Sequence, residues 1–415
     1  MYILTSSQLE RLEGNCKLNF KVYYNYICGK KIQCHIHYEG ALYFFYCHFY
    51  PEPPKTPTHQ TPTFAFMKIL LIGQGISGTW LSYWLQQSGA EIIIIDEERP
   101  NSATRVASGL INPLTGRRVV TTWMAETLLP FAETHYTNLG EMLNAKLISN
   151  CGIMAFPSSE EMVDAYQKRI DQGSPYVHGL TQTETWEAYF NFRHGVVHIQ
   201  PAYWVDLQTL LAGWRQWLLA HGLLRQDCFD ESKLQVLGDG VVYNDIHADY
   251  IVYCDGIHTF QSTYWQGLPY SFNKGEALIV SIDGLPHGQI YKFGISVLVP
   301  WHNGQWWVGS TYENDYVNEL PTDAFSKRTE YFLQHTLRLP FTITDHVAAI
   351  RPSVLERRPF VGKHPHSERV GIFNGMGSKG VSLAPYFAKQ LAEHVLYGSE
   401  LSPDVDIRRY KRAFS

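Results

Sequence analysis

The stretch Lys68–Asp96, KILLIGQGISGTWLSYWLQQSGAEIIIID, restricts this chain more than any other part of it. Ile69 to Ile72 form a short apolar run, as expected of a strand buried on both faces. Gly73, Gly75 and Gly78 follow in GxGxxG spacing, and Trp80, Leu81, Trp84 and Leu85 then recur at helical intervals up to a stop at Gly89. A second apolar run, Ile92 to Ile95, ends on Asp96. Strand, glycine turn, helix, strand and acid, in that order, are what a dinucleotide site requires. Gly73 permits the tight turn, Gly75 lets a pyrophosphate approach the backbone, and Gly78 lets helix and strand pack closely. The helix N-terminus offers amides and a partial positive charge to the phosphates, and Asp96 accepts from ribose hydroxyls. This unit serves NAD and FAD alike, so the rest of the chain must decide between them.

At 415 residues the chain is long enough for two domains, and its 26 Tyr, 21 Phe and 11 Trp predict a sizeable core. A net charge of −5 gives no reason to expect a nucleic-acid or membrane-surface partner. No apolar run is long enough to span a bilayer and no secretory signal is visible, so a cytoplasmic protein is expected. Residues 1–66 differ in character. They hold Cys16, Cys28, Cys34 and Cys47, little periodicity, and the Pro/Thr stretch PEPPKTPTHQTPT. Cys34, His35, His37 and Cys47 suggest a metal site only loosely, because their spacing matches no common zinc pattern. Met67 stands immediately before the first strand. The expectation is therefore that Met67 is the true start, and that residues 1–66 come from an over-extended reading frame and are poorly ordered if translated.

Three further segments bear on the ligand. SATRVASGLINP, after the second strand, is a poor amphipathic helix but a good backbone cradle for an extended ligand. ADYIVYCDGIHT contains an apolar strand, Tyr250 to Tyr253, that ends in a sharp Asp-Gly turn. Near the C-terminus, Val370 to Phe373 run into the Gly-rich turn of NGMGSKGVSLAP, and a helix starts near Ser382. A second helix N-terminus thus stands behind glycines.

With these four motifs in this order, residues 67–411 resemble the FAD-dependent oxidoreductases of the D-amino-acid oxidase, glycine oxidase and sarcosine oxidase type. The resemblance implies FAD in an extended conformation, with its isoalloxazine between two domains, and noncovalent binding is expected because no cysteine stands where a covalent flavin link would be placed. Gly73, Gly75, Ser77 and Gly78 would line the pyrophosphate and Asp96 would hold the adenosine ribose. Arg105, Ser108, Gly109 and Leu110 match the segment beside the phosphates and flavin, and Cys254, Asp255 and Gly256 match a turn usually written Ala-x-Gly. Gly377, Ser378, Lys379, Gly380 and Val381 match the loop that reaches the flavin pyrimidine edge. There Lys379 and the helix N-terminus would favour negative charge on reduced flavin; the alternative for Lys379 is a solvated side chain with only its backbone near the ring. Arg351, in AAIRP, matches the arginine that clamps the substrate carboxylate, the alternative being a structural salt bridge. Arg357 and Arg358 read as structural, and His258 and His302 as loop histidines. The family's substrate tyrosine has no counterpart at Val297 or Leu298, with Tyr291 and Tyr312 nearby.

The implied fold class is α/β: a Rossmann-like FAD-binding domain, with a parallel sheet and helices, plus an antiparallel-sheet substrate domain, both discontinuous. Residues 67–147, 200–262 and 346–415 would form the first, and residues 148–199 and 263–345 the second. GEALIVSI, SVLVP and QWWVGSTY read as strands of the second, with Asn303-Gly304 as a hairpin turn. The expected reaction moves a hydride from an amine or amino acid C–H to flavin N5, with the substrate carboxylate on Arg351 and oxygen or another electron acceptor completing the cycle. Two alternatives keep the cofactor: a dehydrogenase of a 2-hydroxy acid or polyol, and a flavin-binding protein without turnover. An NAD protein would leave the NGMGSKGVSLAP segment without a role.

Overall fold

The computed structural model describes residues 24–27, 30–39, 42–49, 67–179 and 183–414. The chain divides into two compact units, Met1–Phe64 and Ala65–Ser415. In the first, the strands Tyr24–Ile27, Lys30–Glu39 and Leu42–Phe49 form an antiparallel sheet in which Cys34 is the register partner of Cys47. The side chains of Cys34, His35, His37 and Cys47 lie outside the described residues, as does most of the segment expected to be poorly ordered.

The second unit carries two large sheets. One has six strands in the order Leu224–Arg225, Glu91–Ile95, Lys68–Ile72, Tyr250–Tyr253, Ser367–Asn374 and Phe360–His364. Its first five strands pair in parallel, and only the last is antiparallel. The apolar runs read from the sequence are buried here on both faces. Ile69 and Leu71 join the core shared with the helices Ile76–Gln87, Ala125–Leu143 and Gly380–Tyr397, while Leu70 and Ile72 pack on the opposite side with Val241, Tyr243 and Trp265. The first and last of these helices lie against one another, tied by Trp84 Nε1 donating to the Pro385 carbonyl at 2.8 Å.

The other sheet has eight strands in the order Val177–Gly179, Val197–Ile199, Ile153–Phe156, Ile290–Phe293, Ser296–Pro300, Trp306–Gly309, Asn273–Ser281 and Thr342–Arg351. All its pairings are antiparallel except that between Ile153–Phe156 and Ile290–Phe293. Successive residues of a strand face opposite sides. Tyr291, Leu298, Trp306 and Val308 pack with Phe325 and Leu333 of the helix Asp323–Thr336, whereas Ile290, Val299, Trp307 and Ala277 face the large core of the six-stranded half. The hairpin after Pro300 turns at Asn303 and Gly304, both at positive φ.

Local ends shift by a residue or two. The first helix stops at Gln87 with Ser88 as its cap, and Gly89, at φ 79°, donates to the Gln86 carbonyl. The C-terminal helix begins at Gly380, two residues before Ser382, after a single 3₁₀ turn at Gly377–Lys379. Within SATRVASGLINP one helical turn, Ala103–Val106, precedes the two-residue strand Leu110–Ile111, so this segment is partly regular.

Candidate active site

A cavity of about 1470 Å³ runs between the glycine turn and the eight-stranded sheet. It exceeds the usual size of a pocket for one small ligand. Gly73, Gly75, Ser77, Asp96, Arg105, Ser108, Leu110, Cys254, Gly256, Gly377, Ser378, Lys379, Gly380, Val381 and Arg351 all line it, although they come from segments far apart in the chain. Asp255 lines it as well.

Gly78 and Gly109 do not reach the wall. A Cβ on Gly78 would lie 1.9 Å from the Gly73 carbonyl oxygen, and one on Gly109 would lie 1.9 Å from the Val205 carbonyl oxygen. Their task is close packing behind the wall, which places Gly78 in the packing role the motif implied rather than on the pyrophosphate. A Cβ on Gly73, at φ 94°, would lie 2.8 Å from Asp255 Cα in the Cys254–Asp255 turn.

At one end of the cavity, neither the helix Ile76–Gln87 nor the helix Gly380–Tyr397 has a side-chain cap or an acid in its first turn. The Ile76 amide donates to Thr104 Oγ1 at 3.0 Å, and the other leading amides of the two helices stand ready for an anionic ligand. The cradle therefore fits a dinucleotide: two uncapped helix starts, glycines that keep the wall low, and a terminal acid. Asp96 is more engaged than its sequence position suggests. One of its oxygens accepts the Gln74 amide at 2.8 Å; the other accepts Arg215 Nη1 at 2.6 Å and the Glu98 amide at 2.9 Å. Arg215, buried at 4 % exposure, also pairs with Glu98, which in turn meets Arg105. The arginine therefore orients the acid, which keeps lone pairs for a ribose.

Asp255 is half-buried at the same end and takes the Thr259 hydroxyl's hydrogen bond. Burial pushes its carboxyl up to about 6, Glu231 adds to the shift, and Thr259 opposes it. The folded protein thus holds this proton above the ordinary value of 3.8, so the group's stabilising share is full below that value and is lost as pH rises through about 6. Asp255→Asn is expected to gain on the parent as pH goes from 4 to 7, read as the difference in Tm. An unchanged difference would refute this assignment.

The other end belongs to the eight-stranded sheet. Arg351 ends the strand Thr342–Arg351 and donates to Asn273 Oδ1 at 2.8 Å, Ser310 Oγ at 2.9 Å and the Thr311 carbonyl at 3.1 Å. All three acceptors are neutral, so the alternative of a salt bridge has no support in its contacts. Tyr312 lines the cavity with its ring 5.7 Å from the Arg351 guanidinium carbon. Tyr291 lies on the sheet's far face and bonds the Pro286 carbonyl, which removes it from the site. Arg358 stacks on Trp123 at 3.9 Å, a structural place. His258 lines the cavity beside Arg99, held below its ordinary value first by burial and then by that charge; His302 is not on the wall.

Lys379 reaches to 3.5 Å from the Asn112 carbonyl oxygen. Burial, reinforced by the nearby charge of Lys292, pushes its ammonium down to about 8. Lys292, on the strand Ile290–Phe293, also lines the cavity and is lowered by burial. Neither Lys292 nor Arg215 stood out in the sequence. Arg215 had a signal, since it shares the apolar stripe of its helix with Leu211 and Leu218 and a buried charge needs a partner.

A mixed α/β fold with a cavity that fits a dinucleotide is the architecture expected of a flavin-dependent oxidoreductase. Residues 68–394 match the family model described as FAD dependent oxidoreductase, and the chain belongs to that family. It is 24 % identical over 365 residues to a glycine oxidase from Bacillus licheniformis, covering 79 % of this chain and 92 % of that protein. The crystal structure of iminodiacetate oxidase from Chelativorans sp. BNC1 superimposes with TM-score 0.66 at 23 % identity, over 82 % of this chain and 98 % of that one. Glycine oxidase from Geobacillus kaustophilus gives TM-score 0.68 at 17 % identity, over 81 % and 96 %. FAD is the cofactor of this family, and the chain is an oxidoreductase. Among the described residues no helix is long and apolar enough to cross a membrane.

Proposed function

We propose that the chain oxidises an amine bearing a carboxylate, an amino acid in the simplest case, at the C–H bond beside nitrogen. One observation carries this reading: Arg351 faces the same cavity as the glycine cradle with only neutral oxygens bound to its guanidinium. A planar donor fork without an acid of its own is suited to a carboxylate from outside. Relatives named for glycine and iminodiacetate, both carboxylate-bearing amines, support the same reading.

Held by the glycine turn, Asp96 and the start of the helix Gly380–Tyr397, FAD would supply the acceptor for the substrate's hydride equivalent, with oxygen or another electron acceptor completing the cycle. The protein's share is placement and field. Arg351 fixes the carboxylate, Tyr312 stands over that contact, and the eight-stranded sheet closes one side of the site to water. Lys379 and the start of the helix Gly380–Tyr397 provide positive potential at the opposite wall. The six-stranded half would hold the cofactor and the eight-stranded half would present the substrate. Cys151, Cys228 and Cys254 are unpaired, in keeping with a reducing compartment such as the cytoplasm.

The test is anaerobic reduction of the FAD-loaded protein by a panel of amino acids, secondary amines and 2-hydroxy acids, followed as loss of the flavin bands. Bleaching by carboxylate-bearing amines is expected. Bleaching by hydroxy acids alone would replace the amine reading, and no bleaching by either class would leave a flavin-binding protein without turnover.

A further inference from the structure

The deepest unexplained feature of the cavity is Lys292. Strand register places it in one row: Lys292 pairs with Val297, Val297 with Gly309, Gly309 with Ala277, and Ala277 with Val347. Val347, Ala349 and Arg351 alternate along one strand, so Lys292 and Arg351 face the same side of the sheet, the side open to the cavity. Arg351 donates to Ser310, the residue after Gly309. Lys292 therefore stands two strands from the arginine's contact, roughly 10 Å at the backbone. Between the two cations the cavity wall carries the small residues Gly275, Gly309, Ala349 and Val297, with the Trp307 indole lying against Gly309.

Among the described residues, Lys292 makes no hydrogen bond or ion pair; the only charge found close to it is the like charge of Lys379. The acids of the cavity wall are committed elsewhere. Asp96 and Glu98 pair with arginines, Glu97 pairs with Arg99, Asp227 accepts the Cys228 amide, Asp230 takes Ser232 and Lys233, Glu231 takes the hydroxyls of Tyr253 and Thr263, Asp255 takes Thr259, and Glu319 lies toward His258. Lys292 is half-buried, and an ammonium that has lost part of its hydration without gaining an acceptor is favoured by an anion reaching it from the cavity. A single carboxylate is already accounted for at Arg351.

We propose that Lys292 is a second anion anchor and that the substrate is an amino dicarboxylate, with its near carboxylate on Arg351 and its far carboxylate on Lys292. The assignment rests on the amine-oxidation reading above, and its first test does not require turnover. In calorimetric titrations of the FAD-loaded full-length protein, succinate is expected to bind at least roughly tenfold more tightly than butyrate, its monocarboxylate counterpart. Lys292→Met is expected to bring that ratio toward one, while Lys292→Arg retains most of it; the visible flavin spectrum reports whether each variant keeps its cofactor. In anaerobic reduction, aspartate or glutamate should bleach the flavin at lower concentration than alanine or 2-aminobutyrate.

Equal affinity for succinate and butyrate would overturn the proposal, as would a ratio that survives Lys292→Met. If succinate selectivity depends on Lys292 but no amine bleaches the flavin, the oxidation reading fails while the second anchor stands. If amines bleach the flavin without preference for a second carboxylate, the oxidation reading stands and the anchor fails.

Discussion

Arg351→Met is expected to weaken binding of any carboxylate-bearing substrate by roughly a hundredfold to a thousandfold, the scale of removing one partner from a buried, hydrogen-bonded charge pair. The side chain lies beside Tyr312 and donates only to neutral oxygens, so its planar fork is open to a carboxylate that a single ammonium would hold less well. Arg351→Lys keeps the charge but loses the planar fork, and should recover only part of the loss. The measurement is the substrate concentration that half-saturates anaerobic flavin bleaching, with the oxidised flavin spectrum confirming retained cofactor. A substrate affinity that survives Arg351→Met with the flavin in place would move the carboxylate site elsewhere. Loss of the flavin itself would instead point to a structural arginine, since Arg351 also ties Asn273 to the Ser310–Thr311 segment.

A second large effect is expected at Gly78. An alanine there drives its Cβ to 1.9 Å from the Gly73 carbonyl oxygen, and the opposing atom is backbone in the turn that the cofactor must approach. Overpacking of this kind costs about 3 kcal/mol, at the upper end of its usual range, because no flexible side chain can move aside. For the unit Ala65–Ser415 that corresponds to a fall in Tm of roughly 4 °C, together with weaker retention of FAD. Gly89→Ala is the matched control. Nothing lies within 4 Å of its added Cβ, so only the positive φ of 79° counts against it, and its cost is about 1 kcal/mol with FAD retention unchanged. Gly78→Ala with a Tm near the parent's and full FAD occupancy would show that the helix can move off the strand without harm to the site.

The cofactor half of the molecule was legible because its determinants are local. The run Ile69–Ile72, the spacing of Gly73, Gly75 and Gly78, the stripe of Trp80, Leu81, Trp84 and Leu85, and the acid at Asp96 all lie within one short stretch. Each constrains its neighbours through backbone sterics and burial, with no help from distant residues. Even there the sequence leaves out what surrounds the acid. Arg215 meets Asp96 across 119 positions of chain, and only the packing of its helix on the first strand's sheet shows that the carboxylate is already shared.

The substrate half depended on register. Alternation along IYKF and QWWVG says that odd and even residues part ways, but not which set faces the ligand. Tyr291 and Lys292 are adjacent in the chain, and the pleat alone sends the tyrosine into the far core and the lysine toward the cavity. Tyr312 is set over Arg351 by the chain that follows the strand Trp306–Gly309, a placement no local pattern encodes.

By itself, then, the sequence determined a dinucleotide cradle, because turn geometry and periodicity act over a few neighbouring positions, whereas the flavin and the carboxylate role of Arg351 were implied only by the resemblance of its motifs to the amino-acid oxidase family. The tertiary structure alone decided which charges share the cavity and which lack a partner. Those facts arise when strands and helices remote in the chain are brought side by side, where a buried charge is stabilised or left waiting according to neighbours the linear order does not reveal.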